Sequence, residues 1–192
     1  MLELYKSCYN LEGEPFRLNP DHRFSFPHRS YANAKAYLQY ALSQGGGFIA
    51  ITGPPGTGKT TLIKDLLEGL DHSRTLIATL TNAQLDLENL ILLVISSFGL
   101  PVKGDNIALS LMELERYLVR RNSRGERAIL IVDEAHGLSP ASLEDLRQLS
   151  NLQHEDQLLL HVFLVGQEGL LEMIRAPGME HLHKRLIALS NL

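Results

Sequence analysis

Gly53-Pro54-Pro55-Gly56-Thr57-Gly58-Lys59-Thr60 is the stretch of sequence that decides the fold, because it matches the phosphate-loop pattern G-x-x-x-x-G-K-[ST]. It follows an apolar run, Phe48–Thr52, and it opens a segment of helical periodicity, Lys59–Leu70. A strand before the loop and a helix after it are the context that a phosphate loop requires. The alternative is a glycine turn that carries lysine and threonine by chance, and the agreement of residue types, spacing and context disfavours it.

Two prolines restrict which backbone groups of this loop can bind phosphate. Pro54 and Pro55 have no N–H to donate. The amides of Gly56–Thr61 must therefore form the cradle, helped by the positive end of the helix dipole. Glycines in the loop permit positive φ angles and a close approach of the backbone to phosphate. We expect the nucleotide to bind along the whole run from Gly53 to Thr61.

Three side chains at the end of the loop have separate expected roles. Lys59 should reach the β- and γ-phosphates of a nucleoside triphosphate. The hydroxyl of Thr60 should bind Mg²⁺, and Thr61 can add a hydrogen bond to the α-phosphate.

A second apolar run, Ala128–Val132, ends in the two carboxylates of Asp133 and Glu134. Because unpaired carboxylates are costly to bury, these two should face a metal ion and water at the carboxyl end of a strand. Asp133 is expected to hold the hydration shell of Mg²⁺, and Glu134 to act as the general base on the attacking water. The alternative is a pair of solvated acids in a loop.

The segment Asp133-Glu134-Ala135-His136 also spells the DEAH motif of a class of helicases. Those helicases need a second motor domain, for which too little chain remains. A later strand also ends in Val165-Gly166-Gln167, whereas those helicases carry Ser-Ala-Thr there. The helicase interpretation is therefore disfavoured.

Two polar residues are candidates for contact with the γ-phosphate side of the site. Gln167 follows a predicted strand, Leu158–Val165, and its amide could orient the attacking water; the alternative is a turn residue with local hydrogen bonds. Arg185 precedes a predicted last strand, Ile187–Ser190, and could reach the ATP of a neighbouring subunit to stabilise transition-state charge. The alternative for Arg185 is an ordinary surface arginine, and Arg175 is the second choice for the role.

Apolar strands alternate with helical segments along the chain. The predicted strands are Phe48–Thr52, Thr75–Leu80, Ala128–Val132, Leu158–Val165 and Ile187–Ser190, and the predicted helices are Tyr31–Gln44, Lys59–Leu70, Leu85–Phe98, Ile107–Arg121 and Ser139–Gln153. This alternation predicts an α/β fold with a parallel five-stranded sheet flanked by helices. Ligands of such sheets bind at the carboxyl ends of the strands, where both motifs fall.

Composition limits the partners and the compartment. A length of 192 residues with 44% apolar content suits one domain with a hydrophobic core, and a net charge of -4 gives no general attraction to nucleic acid. A local cluster of arginines either caps a helix end or contacts nucleic acid: Arg120, Arg121, Arg124 and Arg127. The single cysteine, Cys8, and the lack of an apolar signal or membrane segment predict a cytoplasmic protein, whose membrane anchor, if any, lies elsewhere.

These residues together resemble the AAA+ ATPases of the ExeA/GspA type from bacterial general secretion. They also resemble exosortase-associated ATPases and, more distantly, the transposition ATPases TnsC and MuB. The resemblance covers nearly the whole chain, and its main carriers are Glu14–Leu18, Gly47-Phe48, the phosphate loop, Asp133–His136, Leu143–Leu152 and Leu164–Gln167.

The resemblance implies an AAA+ core over residues 30–192 and an N-terminal segment, residues 1–29, that packs near adenine. It implies ATP and Mg²⁺ as ligands, and the chain has no Asn-Lys-x-Asp element that would read guanine. Arg185 matches the arginine after the last helix of the family, which is consistent with a homo-oligomeric ring or filament. The family continues into a helical lid, whereas this sequence stops at Leu192, so we expect the lid to be absent or truncated.

Three functions are compatible with these expectations. The first is an ATP-hydrolysing factor that powers or regulates assembly of a bacterial secretion or envelope machine through a protein partner. The second is a DNA-associated regulator of the transposition type. The third is a scaffold that binds ATP but hardly turns it over.

Overall fold

The computed structural model describes residues 8–10, 29–81, 87–102 and 106–192. Most of the segment 1–29 lies outside these described residues, so its packing near adenine stays a prediction. The carriers of the family resemblance in Glu14–Leu18 lie outside them as well.

A parallel sheet of five strands forms the centre of the molecule, in the order β2-β3-β6-β1-β7. The strands, numbered in chain order with a short antiparallel hairpin included, are β1 (Gly47–Thr52), β2 (Thr75–Leu80), β3 (Arg127–Val132), β4 (Gln153–His154), β5 (Gln157–Leu158), β6 (Leu160–Gly166) and β7 (Leu186–Asn191). The predicted α/β class and the five-stranded parallel sheet are confirmed. Because the strands are parallel, their carboxyl ends meet at one edge, called here the carboxyl edge.

Helices cover both faces of the sheet. In the described part of the chain they are α1 (Arg29–Ser43), α2 (Lys59–Glu68), α3 (Leu87–Ser97), α4 (Ile107–Asn122), α5 (Pro140–Ser150), α6 (Glu168–Arg175) and α7 (Glu180–His183), and a 3-10 turn spans Ala135–Gly137. Alternate residues of each strand point to opposite faces. Ile49 and Ile51 of β1 pack with α1 and α2, whereas Phe48 and Ala50 pack with the helices from α3 to α7. Both faces of β1, β3 and β6 are therefore buried, as their continuous apolar runs predict.

The segment after α5 differs from its prediction. The helix expected to continue to Gln153 ends at Ser150, and the strand expected from Leu158 begins at Leu160. Between them the chain makes the β4–β5 hairpin, whose turn residues Glu155 and Asp156 adopt left-handed φ angles of 48° and 63°. This tight turn reverses the chain before it enters the sheet.

No helix among the described ranges is long and apolar enough to cross a membrane.

His161 is a buried titratable group on β6, only 5% exposed. Burial, and to a lesser degree the positive charge of Arg127, lowers the pKa of its imidazole from 6.5 to about 4. The imidazole is therefore neutral at physiological pH, at the end of the sheet opposite the carboxyl edge.

We expect the stability of the folded protein to fall as the pH drops from about 6.5 to about 4. In this window the unfolded chain protonates His161 while the folded chain does not, so the unfolded state binds more protons and stability rises with pH. The full contribution is roughly 3 kcal/mol. Urea unfolding across this window measures it: His161→Leu should flatten the pH dependence, and exposed His72→Leu should not. An unchanged slope in His161→Leu would contradict the assignment.

Candidate nucleotide-binding site

The phosphate loop joins the carboxyl end of β1 to the first turn of α2. Gly56 and Gly58 adopt left-handed φ angles of 81° and 88°, and a Cβ at either position would meet no atom within 4 Å. These glycines are therefore needed for their backbone angles, and the space in front of them is open to a ligand. The fold places the expected phosphate cradle, Gly56–Thr61, at the positive end of α2.

The first glycine of the loop is constrained by packing as well as by backbone angle. Gly53 has a φ angle of 150°, and a Cβ there would lie 2.6 Å from the carbonyl oxygen of Leu192. Leu192 donates its N–H to the carbonyl of Thr52 at 2.9 Å. The residue that follows β7 therefore packs directly on the start of the loop.

The side chain of Lys59 folds back over its own loop. Its Nζ donates to the carbonyl oxygens of Gly53 at 2.9 Å and Pro54 at 2.8 Å. The hydroxyl of Thr57 donates to the same Pro54 carbonyl at 2.9 Å. The ammonium group thus stands at the mouth of the cradle and donates two of its three hydrogens to carbonyl oxygens that phosphate oxygens can replace.

The two expected metal-binding residues meet across the site. The hydroxyl of Thr60 donates to Oδ2 of Asp133 at 3.5 Å, although 73 positions separate them in the chain. The backbone of Asp133 is fixed because its N–H donates to the carbonyl of Leu80 on the neighbouring strand β2 at 2.8 Å. A hydroxyl and a carboxylate are oxygen ligands of the kind that Mg²⁺ prefers, so the residues present fit this ion.

A small cavity of about 110 Å³ lies beside these two residues and is bordered by Lys64 and Thr79. Thr79 borders the site, although it belongs neither to the phosphate loop nor to the acidic strand. Its position near the carboxyl end of β2 would have identified it as a candidate from the sequence. Polar residues at the carboxyl edge of such a sheet are the first candidates for ligand contact.

Glu134 adopts a strained backbone conformation. Its φ angle is 56° and its ψ angle is 34°, the left-handed region that costs a residue with a Cβ about 1–2 kcal/mol. Its N–H donates to Oδ1 of Asp133 at 3.0 Å, and its Oε2 lies 3.3 Å from Nδ1 of His136. Strain of this kind concentrates at functional sites. The side chain is 62% exposed at the carboxyl edge, next to the Thr60–Asp133 pair.

Gln167 directly follows β6, the strand that separates β1 from β3. Gln167 is exposed, and its backbone N–H donates to Nδ1 of His136 at 3.4 Å. The sheet order therefore brings Gln167 between the phosphate loop on one side and the carboxylates of Asp133 and Glu134 on the other. The sequence indicates no role for His136. Its contacts join the ends of two strands that are distant in the chain, and such contacts produce no local sequence pattern.

Arg185 lies at the opposite edge of the sheet from the phosphate loop. Its carbonyl accepts from the N–H of Phe48 at the amino end of β1, and β7 begins at the next residue. The six residues of β7 span roughly 20 Å at about 3.3 Å per residue. The structure therefore does not bring Arg185 to the site of its own chain.

The geometry defines a class of protein: a P-loop NTPase whose acidic strand is separated from the phosphate-loop strand by one further strand that ends in a polar residue. The chain belongs to the AAA domain family, whose model matches residues 42–174. The predicted resemblance to AAA+ ATPases of the ExeA/GspA type is confirmed. The chain is 36% identical over 186 residues to General secretion pathway protein A of Aeromonas hydrophila. This match covers 96% of the chain but 34% of that relative.

Solved structures share the fold at low sequence identity. The ORC2 protein of Aeropyrum pernix, in its ADPNP-ADP complexes, matches with a TM-score of 0.62 and 20% identity over 85% of this chain and 46% of that one. Cdc6p of Pyrobaculum aerophilum matches with a TM-score of 0.58 and 19% identity over 95% of this chain and 48% of that one. PCH-2 of C. elegans matches with a TM-score of 0.54 and 16% identity over 86% and 43%. The chain thus spans about half or less of each of these proteins.

Proposed function

We propose that this chain binds Mg-ATP and hydrolyses it to ADP and phosphate. The observation that carries the proposal is the contact of Thr60 with Asp133, made at the carboxyl edge beside the phosphate loop and the glutamate of the acidic strand. A phosphate loop, a pair of oxygen ligands and a carboxylate base are the parts that phosphoryl transfer to water requires.

Each side chain has a defined part in the proposed reaction. Lys59 exchanges the carbonyls of its loop for the β- and γ-phosphate oxygens. Thr60 would bind Mg²⁺ through its hydroxyl, and Asp133 would hold the hydration shell of the ion. When bound, this ion neutralises charge on the phosphates. The carboxylate of Glu134 accepts the proton of the attacking water, and the amide of Gln167 orients that water from the β6 side.

We propose further that the active form is a homo-oligomer in which Arg185 acts on the ATP of a neighbour. Support comes from its position at the far edge of the sheet, where it cannot reach its own loop. A guanidinium there would stabilise the charge that develops on the transferred phosphoryl group. Contacts of this head-to-tail kind generate rings or filaments.

Arg185→Ala should lose ATP turnover by about 1,000-fold or more while ATP still binds. Turnover is measured as phosphate release with Mg²⁺, and with EDTA as the metal-free baseline. Subunits of Glu134→Gln retain Arg185 but lack their own base, so mixing the two inactive variants should restore roughly a quarter of the wild-type rate. Arg175→Ala, the second candidate, should keep normal turnover. Failure of the mixture to recover activity would refute the trans assignment.

For the biological role we favour assembly of a bacterial secretion or envelope machine from the cytoplasmic side. The support is the 36% identity to General secretion pathway protein A over nearly the whole chain. The DNA-associated alternative receives less support, because Arg121 of the arginine cluster is engaged within the chain. Its Nη1 pairs with Oε2 of Glu126 at 2.8 Å, and its guanidinium lies 5.1 Å from the ring centre of Tyr117.

A further inference from the structure

A single imidazole nitrogen connects the two sides of the site. Nδ1 of His136 lies 3.3 Å from Oε2 of Glu134, which follows β3, and accepts the backbone N–H of Gln167, which follows β6, at 3.4 Å. We propose that His136 is a positioning residue that links the carboxylate of Glu134 to the end of β6. The inference rests on the proposed hydrolysis of ATP and adds a residue that this reaction depends on without touching the reacting atoms.

The 3-10 turn that carries His136 is packed tightly against β6. Ala135 is fully buried, and a Cβ at Gly166 would lie 3.1 Å from the backbone nitrogen of His136 and 3.1 Å from Cδ2 of Leu170. The imidazole is 29% exposed, whereas the side chain of Glu134 is 62% exposed. The less exposed ring therefore stands on a closely packed base and can hold the more exposed carboxylate in one place.

The two contacts of Nδ1 compete. A ring nitrogen either carries a hydrogen to donate or has a lone pair to accept, but not both. When Nδ1 accepts from the N–H of Gln167, it has no hydrogen for Glu134, and the carboxylate loses the support of the imidazole. When Nδ1 carries the hydrogen, it donates to Oε2 of Glu134 and holds it. Any displacement of the Gln167 N–H therefore changes whether the imidazole can hold the base.

The test compares amide replacements that differ in reach. The side-chain amide of His136→Asn lies at about the position of the imidazole Nδ1. The side-chain amide of His136→Gln lies one methylene further from the backbone. His136→Phe keeps an aromatic ring but has no ring nitrogen. We expect the Phe and Gln variants to lower kcat by about 10-fold or more with KM unchanged, and the Asn variant to retain most of kcat. In a Glu134→Gln background, His136→Phe should cause no further loss, because His136 acts through that carboxylate.

A second readout does not depend on turnover. Glu134→Gln should shift the backbone amide resonance of Gln167 in the otherwise unchanged protein, and this shift should vanish when His136→Phe is also present. Lack of ATP turnover by the unchanged protein would refute the proposed function. The chemical shift of the Gln167 amide would then be the measurement that tests the link through His136. Wild-type kcat in His136→Phe, equal losses in the Asn and Gln variants, or a resonance shift that persists without the imidazole would each overturn it.

Discussion

Lys59→Ala should weaken ATP binding by about 100-fold or more, the largest loss of ATP affinity expected from the substitutions proposed for this chain. The ammonium group makes two charge-assisted hydrogen bonds in the phosphate loop, to the carbonyls of Gly53 and Pro54, and is positioned to offer them to phosphate oxygens. Alanine removes both the charge and the donors. Calorimetric titration with Mg-ATP measures the loss.

The matched control is Lys184→Ala, an exposed lysine beyond α7 at the far edge of the sheet. It changes the net charge by the same amount and should leave the ATP affinity unchanged. Equal affinity of Lys59→Ala and the wild type would show that nucleotide does not bind in this loop, and the proposed function would fall with it.

Glu134→Gln should slow ATP turnover by about 100- to 10,000-fold while the affinity for ATP changes little. The amide has nearly the shape of the carboxylate but cannot accept the proton of the attacking water. The strained backbone at φ 56° and the N–H contact to Asp133 are unchanged by this substitution, so the loop should keep its form. Single-turnover measurement of phosphate release separates the chemical step from binding.

Glu168→Gln is the control for this second experiment. Glu168 is exposed in the first turn of α6, on the same edge of the sheet, and it loses the same charge. It should hydrolyse ATP at the wild-type rate. Normal turnover by Glu134→Gln would remove Glu134 as the base and leave another group to be found.

The sequence predicts the parts of this protein that are encoded locally. The phosphate loop between Phe48–Thr52 and α2 is recognisable because its glycines, lysine and threonine must follow one another in a fixed order. The acidic strand is recognisable because a continuous apolar run that ends in two carboxylates is typical of a buried strand whose end faces a ligand. The structure has both features at the predicted positions.

Other parts depend on tertiary contacts and leave no local pattern. The β4–β5 hairpin requires left-handed angles at Glu155 and Asp156, and neither position carries the glycine that would mark such a turn in the sequence. The contact of His136 with Glu134 and Gln167 exists because β3 and β6 are neighbours, and strand order is decided by the packing of the crossovers. The far-edge position of Arg185, by contrast, follows from its place just before a strand of the parallel sheet, which the sequence already predicts.

The bonds of Lys59 to its own loop have a thermodynamic consequence. Two prolines fix two φ angles, each worth about 0.4–1 kcal/mol of conformational entropy that the loop does not lose later. The lysine then ties Gly53 and Pro54 together. A loop preorganised in this way spends little entropy on closing around phosphate, because most of its freedom was given up when the chain folded. The phosphate cradle is therefore already formed in the folded protein. Nucleotide binding exchanges the carbonyl partners of the Lys59 ammonium for phosphate oxygens.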